Sequence, residues 1–193
     1  MKIIGVIMVY NCGDVVLEAL KSLDGLVDEI RCCDSCWIPK FSGIPYSNDD
    51  TQSVIEKFAK TSKSKVEYIR LNSPTSEGKA RVNALENIVE GDWVFVLDAD
   101  ERVIGWDSNV RSILEGTNEV GFLFYWDGKS IFPTCRFFRR INGMKYFTQN
   151  PCFSNDILLD KNHKLGPIAI NVHHDTRKRR CPNASGYAQR PHP

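Results

Sequence analysis

From Ile3 to Tyr10 the chain reads IIGVIMVY, a largely apolar, β-branched run with no polar residue alternating in. A strand with one wet face would alternate with period two, so this run predicts a strand covered on both faces, as in the middle of a parallel sheet. It is far too short to span a bilayer, and it lacks the charged, apolar and small-residue order of a signal peptide. It therefore predicts a soluble, cytoplasmic protein with no transmembrane segment.

The next residues build on that strand. Asn11, Cys12 and Gly13 form a turn, and Asp14 is placed to cap a helix through about Leu23, with Val15, Leu20 and Leu23 on one face. Val27 to Cys33 reads as a second strand, completing a βαβ unit. Asp34 to Asn48, rich in Pro, Gly and aromatic residues, reads as a long surface loop. A helix over Asp50 to Thr61, a strand over Val66 to Leu71, a Ser/Pro/Gly break from Asn72 to Gly78, a helix over Lys79 to Val89 and a strand over Trp93 to Leu97 continue the alternation. Strands alternating with helices in this way predict a right-handed, mostly parallel α/β sheet.

Beyond Asp107 the pattern changes. A helix over Asn109 to Glu115 is followed by shorter, aromatic strands at Val120 to Trp126 and Thr134 to Arg139, and by Ile168 to His174, which predicts a mixed and partly antiparallel second half. A chain of 193 residues without internal repeats or a low-complexity linker suits one domain, here residues 1–175, followed by a basic tail over residues 176–193. The net charge of +1 argues against a bulk electrostatic partner such as nucleic acid, and Arg177, Lys178, Arg179 and Arg180 read as a solvated run. Seven cysteines exclude a fully paired intramolecular framework and leave open which are thiols. Cys33 and Cys36 form a CxxC, but zinc would need a second ligand pair, and Trp37, Pro39 and Pro45 oppose the helix that a redox motif requires.

The stretch VFVLDADERV, Val94 to Val103, runs from apolar residues directly into Asp98, Asp100 and Glu101. Carboxylates at the end of a buried strand need a positive partner, and ligands of open α/β sheets bind at the carboxyl ends of strands. On an extended backbone, acids at i and i+2 point the same way, a geometry for gripping one cation, or a ribose and a cation together. A divalent metal is the expected partner; a solvated Asp-Ala-Asp-Glu turn is the plainer alternative.

VIMVYN, VDEIRCCDS, SNDDT, GKARVNAL, EGDWVFVLDADERV and CRFFRRINGMKYF stand in the order seen in family 2 glycosyltransferases of the GT-A fold, and the chain resembles the compact members of that family, with a further likeness to versions from archaeal viruses. The resemblance implies a nucleotide-diphospho-sugar transferase fold: a Rossmann-like, mostly parallel central sheet flanked by helices, with a mixed C-terminal half. It implies a hexosyltransferase-type enzyme that moves a sugar with inversion from a UDP- or GDP-linked donor to a hydroxyl of a protein, lipid or glycan, in a host cytoplasm if the protein is viral. Asp34 matches the acid that recognises the nucleotide base, with Tyr10 and Asn11 bordering that pocket. Arg81 matches a cation for the nucleotide or its diphosphate, Asp98 a group facing the ribose or a metal-bound water, and Asp100 the ligand of Mn²⁺ or Mg²⁺. Glu101 falls outside the ligand set. A late histidine on the metal or diphosphate matches His173 or His174. Neighbours on a strand face opposite ways, so one of the two should reach the site, and the spacing to Thr176 favours His174. An imidazole ligand would favour Mn²⁺.

The chain departs from the family at TQNPCFSND, where compact members carry a His-Glu pair that includes the catalytic base. Asp156 is the nearest carboxylate and Asp127 the second choice for the group that deprotonates the acceptor hydroxyl. The missing glutamate keeps a rival open, a binding module that retains the donor site without catalysis. A nucleotidyltransferase of the same fold would need a Gly-rich phosphate loop after the first strand, which Asn11-Cys12-Gly13 does not supply.

Overall fold

The computed structural model describes residues 1–36, 44–73, 77–128, 130–131, 135–141, 145–147, 150–152 and 167–174. Its central strand, β1 (Ile3–Val9), is buried along its whole length, as an unbroken apolar run requires. It lies between β2 (Glu29–Asp34) and β4 (Trp93–Asp98), parallel to both, and β2 pairs in parallel with β3 (Lys65–Arg70). Three helices return the chain between these strands: α1 (Val16–Leu23), α2 (Thr51–Ala59) and α3 (Glu77–Ala84). Gly5 interrupts the β-branched run because α1 packs tightly there; a Cβ at that position would lie 2.8 Å from Leu23 Cδ1.

The second half extends the same sheet with mixed polarity. β5 (Glu101–Trp106) follows β4 after the turn at Ala99 and Asp100, and α4 (Val110–Gly116) leads to β6 (Gly121–Trp126). Then come β7 (Ser130–Ile131), β8 (Phe137–Arg139), β9 (Lys145–Phe147), β10 (Asn150–Cys152) and β11 (Pro167–His174). The order across the sheet is β3-β2-β1-β4-β8-β6-β11-β5, with β7 paired to β6 and with β9 and β10 forming a separate ribbon. β8 is antiparallel to β4 and to β6, β11 is parallel to β6, and β5 is antiparallel to β11. The α/β class and the mixed second half are as the sequence implied.

Several boundaries differ from expectation, each for a local reason. Asp34 closes β2 instead of opening the loop, opposite Arg70 in the β2–β3 register. The turn before α1 is held by the Cys12 carbonyl, which accepts from the amides of Val15 and Val16 at 3.0 and 2.9 Å; Asp14 is exposed, and Val15 takes the capping position without a side-chain bond. Helix α3 stops at Ala84, before the expected Val89, because the next amides reach back only three residues and Asn87 adopts a left-handed φ of 62°. β5 was not expected at all. Its first residues are charged and Gly105 interrupts it, so no strand pattern shows.

One face of the sheet buries Ile7, Leu20, Leu23, Ile55, Trp93, Phe95, Phe124 and Phe137 under α1, α2 and α4. The other buries Val6, Met8, Val94, Val96 and Phe138 with Ala80 and Ala84 of α3. Phe95 sits 5.2 Å from Phe137, 5.6 Å from Phe124 and 5.8 Å from Trp106, measured between ring centroids. Aromatic side chains of this size bury large areas and stabilise the mixed half together with Val110, Leu114, Ile170 and Val172. Among the described residues, no helix is long and apolar enough to cross a membrane. Cys12, Cys32, Cys33, Cys36 and Cys135 are buried free thiols, so the CxxC is not bridged; Cys152 has no described side chain and Cys181 lies outside the described residues.

Two measurements follow from this packing. Phe95→Ala should cost about 3–5 kcal/mol in urea unfolding, whereas Ile104→Ala, on a side chain 53 % exposed, should stay within about 0.5 kcal/mol. Burial pushes the Cys12 and Cys33 thiols up to about 12, so a thiolate-selective reagent should label the five described cysteines slowly in the native protein and fully after unfolding.

Candidate active site

β1, β2 and β4 run parallel and end together: Val9 pairs with Asp34, and Met8 with Asp98. The carboxyl edge of the sheet therefore carries two acids, one on each side of β1. Trp93 to Leu97 bury β4 completely, and Asp98 is the first residue to emerge, with its side chain about one third exposed.

Asp98 and Asp100 have different partners within the chain. Its Oδ1 accepts from Arg81 Nη2 at 3.2 Å and its Oδ2 from Arg136 Nη2 at 3.0 Å. Arg136 also donates through Nη1 to both oxygens of Glu101, at 2.9 and 2.7 Å, and Glu101 Oε2 accepts from the Asp98 amide at 2.9 Å. Arg81, Arg136 and Glu101 are 2 %, 5 % and 2 % exposed. Two guanidinium groups of the chain itself thus give Asp98 positive partners. The i and i+2 argument fails because Ala99 and Asp100 form a turn, so the backbone is not extended between the two acids. Glu101, expected outside the ligand set, lies at the centre of the ion network.

The network shifts its members in opposite directions. Burial works to raise the Asp98 carboxyl, but the charges of Arg136 and Arg81 outweigh it and hold the group below its ordinary value. Burial pushes Glu101 up to about 7 against the pull of Arg136, and the negative charges of Asp98 and Asp100 add to the rise. Arg136 is raised above its ordinary value: burial disfavours its charge, and the two carboxylates more than compensate.

Asp100 has a different partner: its Oδ2 lies 2.9 Å from His174 Nε2. His174 ends β11 opposite Glu101 in the β5 register, with its ring 5.4 Å from that of Trp126. His173, one residue earlier, faces away from that site and places Nδ1 2.5 Å from Asp127 Oδ1, where Asp127 leaves β6 with a φ of 49°. Strand alternation thus gives each histidine its own carboxylate. Asp156 and the run Arg177 to Arg180 lie outside the described residues.

A carboxylate and an imidazole meeting at 2.9 Å suit a divalent cation that takes its remaining ligands from water and substrate phosphate. Asp100 and His174 would hold it. Each oxygen of Asp98, the other acid expected at such a cation, already accepts one guanidinium bond. Among the described residues, no group of three or more His, Cys, Asp or Glu side chains is arranged to bind a metal alone.

On the β2 side, Asp34 is fully buried and accepts from the Ser47 amide at 3.0 Å on each oxygen, from Ser47 Oγ at 2.9 Å and from the Tyr68 hydroxyl. Burial raises its carboxyl, and the bonds from Tyr68 and Ser47 offset only part of the rise. Tyr10 donates from its hydroxyl to the Ile44 carbonyl at 3.2 Å. Asn11, at a φ of 48°, donates its amide to Ser47 Oγ at 2.8 Å and accepts from the Asn48 amide at 2.9 Å. Beside them Arg70 stacks 4.3 Å over the Tyr46 ring. Sequence reasoning assigned no role to Arg136, Ser47 or Tyr68. Arg136 could have been flagged, because an arginine leading into Phe137 and Phe138 must find a carboxylate if it is buried with them.

Residues 45–105 match the family model for Glycosyl transferase family 2, a segment that ends just beyond Asp98, Asp100 and Glu101. The crystal structure of S. aureus TarS 1–349 superposes with a TM-score of 0.50 at 21 % identity, covering 69 % of this chain and 39 % of that one. The fold is GT-A. The same TarS fragment in complex with UDP-GlcNAc gives a TM-score of 0.47 at 20 % identity over 69 % of this chain and 38 % of that one. The chain spans about two fifths of the length of these solved GT-A chains. No curated protein is significantly similar to it.

The ion network makes a testable demand. Arg136→Met leaves two carboxylates without their shared guanidinium and should cost about 3–5 kcal/mol at pH 8, and less at pH 5, where Glu101 can take a proton. A Glu101 carboxyl raised above its unfolded value of about 4.3 stabilises the fold fully below that value and loses this contribution as pH rises through about 7. Urea unfolding in EDTA should therefore show the wild type losing stability relative to Glu101→Gln between about pH 4.5 and 7.

Proposed function

We propose that the chain is a family 2-type glycosyltransferase that takes a sugar from a UDP- or GDP-linked donor and passes it, with inversion, to a hydroxyl of a protein, lipid or glycan. The observation that carries this reading is the meeting of Asp100 and His174 at the carboxyl edge of a GT-A sheet, in front of Asp98 and its two buried arginines. Open α/β sheets bind ligands at this edge. The match of residues 45–105 to Glycosyl transferase family 2 supports the same assignment.

In this reading Asp100 and His174 hold Mn²⁺ or Mg²⁺ against the donor diphosphate. The cation, when bound, offsets the negative charge that grows on the leaving nucleoside diphosphate. Arg136 and Arg81 keep Asp98 ionised and fixed, so the Asp98–Ala99–Asp100 turn presents one geometry to the donor. Of the two carboxylates considered for the acceptor proton, Asp127 is engaged by His173, on the face of β11 away from His174, and Asp156 is the one we assign.

Calorimetric titration of UDP and of GDP, with Mn²⁺ and with EDTA, tests the assignment. One nucleotide should bind only with the metal, and Asp100→Ala should weaken that binding on the order of 100-fold. Binding of neither nucleotide under any metal condition sinks the proposal. Binding without transfer or donor hydrolysis leaves the non-catalytic module instead.

A further inference from the structure

The outer strands of the sheet hold a cavity on the face away from α1 and α4. Asn171 of β11 pairs with Gly105 of β5 on one side and with Tyr125 of β6 on the other. Its neighbours Ile170 and Val172 are fully buried in the core that α1 and α4 cover, so strand alternation turns Asn171 to the opposite face. Beside that row lies a space of about 480 Å³, whose lining includes Gly105, Asp107, Tyr125, Gly128, Ala169 and Asn171. Sites for small ligands occupy about 300–1,000 Å³.

The strands open this space by leaving side chains out of it. Gly105 puts nothing in its place in the row, and beside it the β5–β11 register shifts, so that Ile104 has no partner on β11. Gly128 comes so near that a Cβ there would lie 3.1 Å from Asn171 Nδ2. The polar groups around the space are fixed but not exhausted. Asn171 Oδ1 accepts from the Gly128 amide at 2.8 Å, which orients the carboxamide and leaves its Nδ2 donors without an acceptor among the described residues. Asp107 Oδ1 accepts from the Asn109 amide at 2.7 Å, and its second oxygen keeps its lone pairs. Tyr125 is 38 % exposed and brings a ring face with a hydroxyl at its end.

These groups define a ligand chemistry. Among the described residues lining the space none is Lys, Arg or His, and the one charged side chain, Asp107, is acidic; a phosphate or a nucleotide would meet repulsion and no counter-charge. A ring face flanked by an amide donor and a carboxylate acceptor suits a neutral molecule with an apolar side and hydroxyls that both donate and accept. A pyranose is such a molecule. We propose that this cavity is a second sugar-binding site, which holds one pyranose unit of a glycan against the Tyr125 ring while its hydroxyls bond Asn171 and Asp107. It lies three residues along β11 from His174, about 10 Å of strand, on the other face of the sheet from the Asp100–His174 pair. A glycan of a few units spans that distance around the strand end, with one unit anchored here and another at the carboxyl edge. The site goes beyond the transferase reading, and the two can fail separately.

The test is amide NMR of the full chain titrated with chitotriose, mannotriose and maltotriose, followed at the backbone amides of Gly105 and Gly128 and at the side-chain amide of Asn171. At least one trisaccharide should shift these signals saturably, with a dissociation constant on the order of 1 mM. Tyr125→Ala removes the ring face, and Gly105→Val fills the space from a Cβ that would lie 3.3 Å from that of Asn171. Each should weaken the sugar about tenfold, with the rest of the spectrum unchanged. Absence of shifts with all three sugars at about ten times that concentration overturns the proposal, and so do shifts that persist undiminished in both variants. Inorganic phosphate moving the same signals makes this an anion site and overturns it as well. If the wild type binds neither UDP nor GDP while a trisaccharide shifts these amides, the donor-site reading falls and the sugar site stands.

Discussion

The contact on which the edge of this sheet depends is the guanidinium of Arg136, held between Asp98 and Glu101. β4 ends, the chain turns through Ala99 and Asp100, and β5 departs across α1, where the Val103 amide finds Ser22 Oγ at 3.0 Å. Two acids flanking such a turn would repel each other and resist burial. Arg136, leading into the strand beside β4, lets Glu101 be buried beside a half-buried Asp98 and ties β4, β5 and β8 at one point. A buried ion group of this kind adds little net stability compared with a hydrophobic substitute, but losing one member leaves the others uncompensated. Its value here is geometric: it sets the direction in which Asp100 leaves the turn.

That direction matters because of β11. The strand brings two histidines to the edge, and alternation sends His174 to Asp100 and His173 to Asp127. The acidic turn and the histidine strand are separately ordinary. Together they produce a carboxylate and an imidazole in contact at the end of a parallel sheet. On the far side of β1, Asp34 organises a second set of contacts in a different way, with neutral donors from Ser47 and Tyr68 in place of arginines.

Much of the first half was legible because its strands are apolar runs and its helices show one buried face. The carboxyl edge and its acids were legible for the same reason: Asp98 is conspicuous after Trp93 to Leu97. What could not be read were relationships between distant residues. Nothing within β4 says that Asp98 will meet an arginine 38 positions later, or that Asp34 will be bonded by Ser47, 13 positions on. β5 escaped notice because Glu101 and Arg102 look like surface residues until the strand pairs with β11. The turn at Ala99 and Asp100 was not legible either, because an acid-rich run after a strand carries no turn residue such as Gly or Pro.

The place of β11 in the sheet has a consequence for how the site comes into being. It enters between β6 and β5, more than sixty residues after β5 leaves the turn, so its register with β5 closes one of the longest loops in the fold. Contacts of such sequence separation form late. A growing chain that has completed β1 to β4 can set Asp98 beside Arg81, but Asp98 waits for Arg136, and Asp100 has no histidine until residue 174 has emerged. The acidic turn therefore waits, half built, through most of synthesis, and the step that seats the second half of the sheet also brings His174 to Asp100.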